Sequence, residues 1–457
     1  MIILLSISAV SLLIGLTDTP DSFQYFALGK YLYFKELLPQ APFNYDRPRT
    51  LFGPLYALFV TPLYQLPVPM GSLLIPFIQL TLVAISAVLI YKAMQQIFHK
   101  PWPLITAIIF LLLPYNLIYA TFMMSETLTQ FFVACFLFTM SRYRKSAPRV
   151  TFSLLTLFGA LATLTRFGFL ILFAGSFIGW MSTFMKNRTG GKILAWLPAC
   201  FGVAIVTLWL LFNYQTNGVW TLSTYSGRHL YDSVVTDGTL LPDMNDSAIA
   251  PFLESGLSAG EMMSMPWWEV QTWFSGTGKN DADVDRIFFK LSLAAILKHP
   301  VEYITHTIER MGRIPIAQPY LRGNFIQDFA KCRYDLCQNC RPVLWNNFTC
   351  WNKPICTPAV VSCTAESLWS KFVSAQNFLY PTVTALLFGI SLIGSFLELF
   401  SSRPLLRWTS GIFLILLGFH AATEFVQGRF IIPMYPLYAV LLVYPLSLIW
   451  TKLSSKL

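Results

Sequence analysis

Charge is what this sequence has least of. Only 12% of its 457 residues are Asp, Glu, Lys or Arg, against roughly a quarter in a typical soluble domain. Hydrophobic residues make up 55%, and the mean hydropathy is +0.56. A soluble core has no room for that much apolar surface, which excludes an ordinary globular protein in water. Acidic residues are scarcer than basic ones, 22 against 32, for a net charge of +10. On such a chain the excess reads as topology, because Lys and Arg gather in cytoplasmic loops and beside anionic lipid; it does not imply nucleic acid as a partner. The sequence also lacks internal repeats, low-complexity tracts and a separate soluble domain.

What it has is a series of apolar runs, several near the ~18 residues that suggest a bilayer span. They predict about ten transmembrane helices, at residues 1–16, 71–91, 102–120, 127–141, 150–165, 167–184, 193–213, 376–398, 406–422 and 430–450. Residues 127–141 and 150–165 fall short of the usual length of about 17, which calls for longer helices or a locally thin bilayer. With both termini cytoplasmic, the short inner connections hold Lys92, Lys100, Arg142, Arg144, Lys145, Arg149, Lys186, Arg188, Lys192, Arg403 and Arg407, as the positive-inside rule requires. The outer segments are then 17–70 and 214–375. The organisation is an N-terminal transmembrane module (1–213) with its first outer loop, an extracytoplasmic segment (214–375) and C-terminal transmembrane helices (376–457). No Lys or Arg precedes the first apolar run, and Thr17-Asp18-Thr19-Pro20 lacks a small-x-small cleavage signature, so residues 1–16 read as a span and not a signal peptide.

Cysteine placement fits this topology. Cys135 and Cys200 fall within expected helices, whereas Cys332, Cys337, Cys340, Cys350, Cys356 and Cys363 crowd one outer stretch, 332–363. An even cluster outside the membrane points to disulfides, whose pairing spacing does not reveal. Cys337-Gln338-Asn339-Cys340 has zinc-ligand spacing, but an oxidising compartment favours disulfides over thiolate ligation. Asn245-Asp246-Ser247 and Asn347-Phe348-Thr349 are glycosylation sequons where a host can use them. Residues 286–312 carry helical amphipathic spacing and are expected to lie along the membrane surface, with packing against a core of the outer segment as the alternative. Residues 235–280, rich in Gly, Ser, Asp and Pro around Trp267-Trp268, read as an irregular loop with aromatics at an interface or a ligand.

The unusual charges gather at the outer boundary. Asp18 and Asp21 stand at the exit of the first span, with Pro20 suited to the first turn of a helix that an Asp would cap. Arg47 and Arg49 follow in the same loop, Glu126 begins the fourth span, Arg166 lies between the fifth and sixth, and Arg429 precedes the last. Capping accounts for one Asp, and snorkelling or an ion pair with Glu126 accounts for Arg166. Yet a charge at a helix centre costs about 2.5 to 3.5 kcal/mol, and arginines on the outer side run against the positive-inside bias.

In order and placement these pieces resemble the GT-C superfamily of integral-membrane glycosyltransferases, the branch of protein mannosyltransferases and lipid A aminoarabinose transferases. The resemblance rests on Pro20-Asp21-Ser22 with Tyr25 and Ala27, Arg49-Thr50-Leu51-Phe52-Gly53-Pro54-Leu55-Tyr56, Ser125-Glu126-Thr127, Thr165-Arg166-Phe167 and Arg429-Phe430-Ile431-Ile432-Pro433. It implies an all-α polytopic fold with amphipathic juxtamembrane helices. It also implies inverting transfer of a sugar from a polyprenyl-phosphate carrier to a hydroxyl of a glycan, lipid or protein. Asp21 matches the family's acidic base, with Asp18 as a second acid. Arg166, Arg429 and Arg49 are expected on the donor phosphate, and Tyr25, Glu126, Arg228 and His229 as substrate contacts. Many relatives carry Asp-Glu where this chain has Asp21-Ser22, which puts a metal-assisted version in doubt; a divalent ion is the one cofactor to consider. The implied setting is a bacterial inner membrane with the site facing the periplasm, or alternatively an ER membrane facing the lumen. The rivals are a secondary transporter or lipid flippase, whose sites usually lie at the midplane on broken helices of repeated halves, and a non-catalytic membrane scaffold.

Overall fold

The structure is a computed structural model that describes residues 20–37, 48–66, 70–143, 148–186, 195–274, 279–315, 382–423 and 428–454. The expected first span, Asp18 and the six outer cysteines lie outside these residues.

The described chain is helical: α1 (Pro20–Phe34), α2 (Pro54–Tyr64), α3 (Met70–Met94), α4 (Trp102–Leu112), α5 (Glu126–Ser141), α6 (Pro148–Thr165), α7 (Leu170–Lys186), α8 (Leu197–Asn217), α9 (Ser226–Tyr231), α10 (Asp281–Lys298), α11 (Pro300–Arg313), α12 (Thr382–Leu399), α13 (Pro404–Thr423) and α14 (Tyr435–Ser454). Seven of the expected spans, those at α3, α6, α7, α8, α12, α13 and the run Phe430–Ser454, are helices long and apolar enough to cross a membrane, and the protein is an integral membrane protein.

Two of the expected spans are shorter. α5 has 16 residues, and residues 102–120 are not one helix. α4 stops at Leu112, Leu113 turns extended (φ −53°, ψ 138°) ahead of Pro114, and Tyr115 is left-handed (φ 62°) before a single turn, Asn116–Tyr119. Pro114 disfavours helix at the preceding residue, so the break is written in the sequence. Backbone freed at such a break must find partners inside the protein. Asn116 donates to the Phe110 carbonyl (2.6 Å), Gln79 to those of Ala120 and Phe122 (3.0 and 2.8 Å), and the Tyr435 hydroxyl to that of Pro114 (2.8 Å). Gln130 of α5 donates to Asn116 Oδ1 (2.9 Å) and to the Ile432 carbonyl (3.1 Å). These Asn, Gln and Tyr side chains tie α3, α5 and the start of α14 to the break.

Residues 218–315 form their own apolar core, centred on Tyr231, Phe252 and Phe288. Residues 235–274 hold more helix than their composition suggests. Short helices at Ala250–Glu254, Ala259–Ser264 and Trp267–Val270 interrupt the loop, the second closed by a reciprocal Ser258–Glu261 capping box. Trp267 is buried beneath Tyr225 (ring centroids 4.8 Å apart), so it packs the core, while Trp268 remains exposed. α11 is amphipathic as expected. Val301, Ile304 and Ile308 are exposed, and Arg310 on the other side is buried, donating to the Ser233 carbonyl and pairing with Asp237 (3.4 Å). Ser233 and Tyr303 also donate to the Ala422 carbonyl at the end of α13 (3.2 and 2.7 Å). The small core is thereby moored to the bundle.

Candidate active site

α1 begins with Pro20, whose missing N–H is no loss at a helix start, and its first turn carries Asp21. Ser22 is buried and donates to the Met123 carbonyl (3.0 Å). Tyr25, one turn on from Asp21, donates to Ser125 Oγ (2.8 Å) and stacks on Phe52 (4.7 Å). Asp21 and Tyr25 therefore share one helix face. Burial, followed by the nearby carboxylates of Glu126 and Asp21, drives the Tyr25 phenol well above its ordinary pKa, with Arg166 opposing. It stays a protonated donor.

Glu126 opens α5, where unpaired backbone N–H groups favour a negative charge. It is fully buried, and Arg166 Nη1 donates to its Oε1 (2.9 Å). Among the described residues its Oε2 has no hydrogen-bond partner. Arg166 leaves α6 with extended backbone (φ −149°, ψ 115°) at the head of the turn Phe167–Phe169. Its guanidinium lies over the Phe430 ring, 4.9 Å from the centroid, so residues 126, 166 and 430 meet at one place.

They meet at a cavity of about 600 Å³. Its polar lining includes Asp21, Tyr25, Glu126, Arg166, Ser223 and His229. The remainder is largely apolar, running down α7 and α8 along Leu170, Phe173, Val206 and Leu210, with Phe167, Phe419 and Phe430 on the side of the final helices. Residues 51–53 close another side. Gly53 is required there, because a Cβ would stand 2.1 Å from the Leu164 carbonyl oxygen and 2.7 Å from that of Thr165. The loop is thus pressed against the backbone that positions Arg166.

The other residues singled out from the sequence divide. His229 lines the cavity and packs edge-on against Tyr225 (4.1 Å). Arg228 beside it does not; it is buried 1% exposed, bound to Asp281 (2.8 Å), Asp285 (3.6 Å) and Gln271 (3.2 Å). Arg49 pairs with Asp281 (3.5 Å) and is buried, so instead of facing the cavity it ties the first loop to α10, through the same carboxylate that Arg228 uses. Arg429 directly precedes Phe430, and its side chain is outside those described. Asp285 sits beneath this network; burial pushes its carboxyl up to about 6, against the pull of Arg228. Burial likewise pushes Asp232, in the single π-turn Asp232–Thr236, up to about 8, although the Trp267 N–H donates to it (2.9 Å). Among the described residues no group of three or more His, Cys, Asp or Glu stands together to hold a metal ion. Among the described residues the cavity's carboxylates are Asp21 and an already paired Glu126, fewer oxygens than a divalent cation usually takes.

Sequence reasoning passed over Trp220, Thr221, Ser226 and Phe289, which also line the cavity. None carries a charge, and the only local signal is Gly218, whose left-handed backbone (φ 74°) ends α8 and turns the chain into them.

No protein-family model matches the chain, and a search of curated proteins finds none similar to it. Among solved structures it is similar to ArnT from Cupriavidus metallidurans bound to undecaprenyl phosphate, at 14% identity and a TM-score of 0.36 over 97% of this chain and 77% of the other. It is similar also to the oligosaccharyltransferase of Archaeoglobus fulgidus in the apo form, at 14% identity and a TM-score of 0.44 over 98% of this chain and 50% of the other. The same archaeal enzyme, AglB, in complex with an inhibitory peptide and a dolichol-phosphate, is 15% identical with a TM-score of 0.36.

Proposed function

We propose that the protein is a membrane glycosyltransferase that moves a sugar from a polyprenyl-phosphate carrier to an acceptor hydroxyl on the extracytoplasmic side, with inversion. One observation carries this: Asp21 and Arg166, 145 positions apart in the chain, line a single cavity whose other walls are mostly apolar and descend along membrane helices. A carrier needs that combination, lipid for its isoprenoid and fixed charge for its head.

Arg166 is the donor-phosphate ligand. A guanidinium has five N–H donors in a fixed fork, and Glu126 takes one. The rest can clamp a phosphate, and in a site with little water that charge stabilises the leaving group without solvent reorganising. Arg429, adjoining Phe430 in the chain, is assigned as the second cation. Asp21, as carboxylate, accepts the acceptor's proton. The acceptor oxygen bonds to the anomeric carbon as its bond to the phosphate oxygen breaks, and the electron pair departs with polyprenyl phosphate. Arg49 serves the reaction at a distance, by holding the loop that contains Gly53. The membrane is a bacterial inner membrane, with this site on the periplasmic face.

The test uses full-length protein in membranes supplied with a panel of polyprenyl-phosphate sugars. Asp21→Asn should lower transfer by about 10² to 10⁴, the usual contribution of a positioned base, at unchanged protein level. Transfer at the wild-type rate by this variant contradicts the proposal.

A further inference from the structure

We infer that the acceptor is a saccharide, and that it binds in a second hollow adjoining the cavity with Trp220 as the platform beneath its ring. The inference builds on the transferase reading and names the class of acceptor that reading leaves open.

The second hollow, about 410 Å³, lies between the loop after α8 and the N-terminal half of α10. It shares Trp220, Thr221, Ser226 and Phe289 with the cavity, so a molecule seated in one reaches into the other through a common wall. Both rooms are lined mainly by apolar surface. The second hollow adds Thr224, Asp285 and Arg286 to the shared Thr221 and Ser226, so hydroxyl, carboxylate and guanidinium groups stand beside Val219, Trp220, Ala282 and Phe289.

Trp220 stands where the rooms join. Its indole stacks on Tyr214 with centroids 4.8 Å apart and planes 18° from parallel, yet the residue is 60% exposed. One face is braced and the residue keeps a wide open surface. A pyranose presents C–H groups on a face and hydroxyls around its edge, which suits an aromatic plane below and a carboxylate and a guanidinium at the side. Arg286 is available for that edge: it is more than half exposed, and among the described residues its ion pair with Asp283 is long at 3.9 Å. An acyl chain offers nothing to the exposed Arg286 guanidinium. An extended peptide acceptor would be expected to meet an exposed strand edge, and the described residues around this hollow form none.

A Trp just beyond a membrane helix also suits a plain interfacial anchor, and the experiment separates the two. Protein in lipid nanodiscs, free of sugar-based detergent, is titrated with mannose, glucose, N-acetylglucosamine, cellobiose and diacetylchitobiose, and binding is read by saturation-transfer NMR. At least one saccharide should bind wild type. Trp220→Ala should weaken it by about tenfold or more, the scale expected for truncating a central Trp contact, Trp220→Phe should retain part, and Arg286→Gln should also weaken it. Undecaprenyl phosphate affinity, measured in parallel, should be unchanged in Arg286→Gln, whose side chain lines the second hollow and not the cavity. Failure of every saccharide to bind wild type, equal binding by Trp220→Ala, or displacement by Ser- and Thr-containing peptides in place of sugars overturns the inference. Failure of wild type to bind undecaprenyl phosphate instead overturns the transferase reading, and the two results are independent.

Discussion

Arg166 and Glu126 each answer a need of the other: the arginine neutralises a carboxylate with no exposure to water, and the carboxylate fixes the guanidinium over Phe430. Removing one member of a buried pair leaves an uncompensated charge, a loss of about 3 to 5 kcal/mol. Arg166→Ala should therefore lower the unfolding temperature as well as abolish undecaprenyl phosphate binding, and adding Glu126→Gln should restore much of the stability and none of the binding. Arg166→Lys keeps the charge but not the fork; phosphate affinity should drop by about tenfold, read by native mass spectrometry. Asp232 makes a separate prediction. Its carboxyl sits at about 8 in the folded protein, against about 4 in an unfolded chain. The folded state thus holds a proton that the unfolded state releases, so stability falls as pH rises across that window and levels off above it. Asp232→Asn, which retains an oxygen for the Trp267 N–H, should flatten the fall of unfolding temperature between about pH 5 and pH 8. Single residues of this kind were partly legible in advance. Asp21, Glu126 and Arg166 stood out because charge is rare and conspicuous in an apolar chain. Arg49 and Arg228 stood out for the same reason, yet they serve Asp281, a partner 53 or more positions away in sequence that no local pattern reveals.

At the scale of elements, the site depends on how closely backbones approach. Gly53 lets the first loop lie on the end of α6, and Gly227 does the same for α9 against α10, where a Cβ would stand 2.0 Å from the Asp285 carbonyl oxygen. Neither contact involves a flexible side chain that could move aside. Gly53→Ala should displace the loop from the Arg166 turn, costing about 1 to 3 kcal/mol as overpacking does and lowering transfer; thermal unfolding and the transfer assay read the two effects separately. Helix positions were legible because spans of 18 residues or more leave a plain hydropathy signal, as at α3 and α8. The division of residues 102–120 was less so, since their apolar composition hides the break that Pro114 and Tyr115 impose. The small helices between 250 and 270 escaped for the opposite reason: each is four to six residues long, too short to show a period, and each is held by tertiary packing.

Across the whole molecule, the first loop, the bundle and residues 218–315 are joined by a few buried polar ties: Arg49 and Arg228 on Asp281, Arg310 on the π-turn, Ser233 and Tyr303 on Ala422. Arg228→Met keeps the bulk but strips Asp281 and Asp285 of their main partner. It should leave the apolar spans in place while making residues 218–315 more open to added protease, as seen by the rate and position of cleavage. The membrane setting followed from composition, because only lipid accommodates this hydropathy, and the helices from the lengths of the apolar runs; the cavity did not, because it is assembled from residues between 21 and 430. The amides around the break after α4 carry a last consequence, for biogenesis. Gln130 and the Pro114 carbonyl wait for Ile432 and Tyr435, some three hundred residues downstream. Until the ribosome has delivered the final span, the early helices hold unmet donors and acceptors in an oily surrounding, and a nascent chain arrested before residue 428 should be cleared by membrane quality control while the full-length one accumulates.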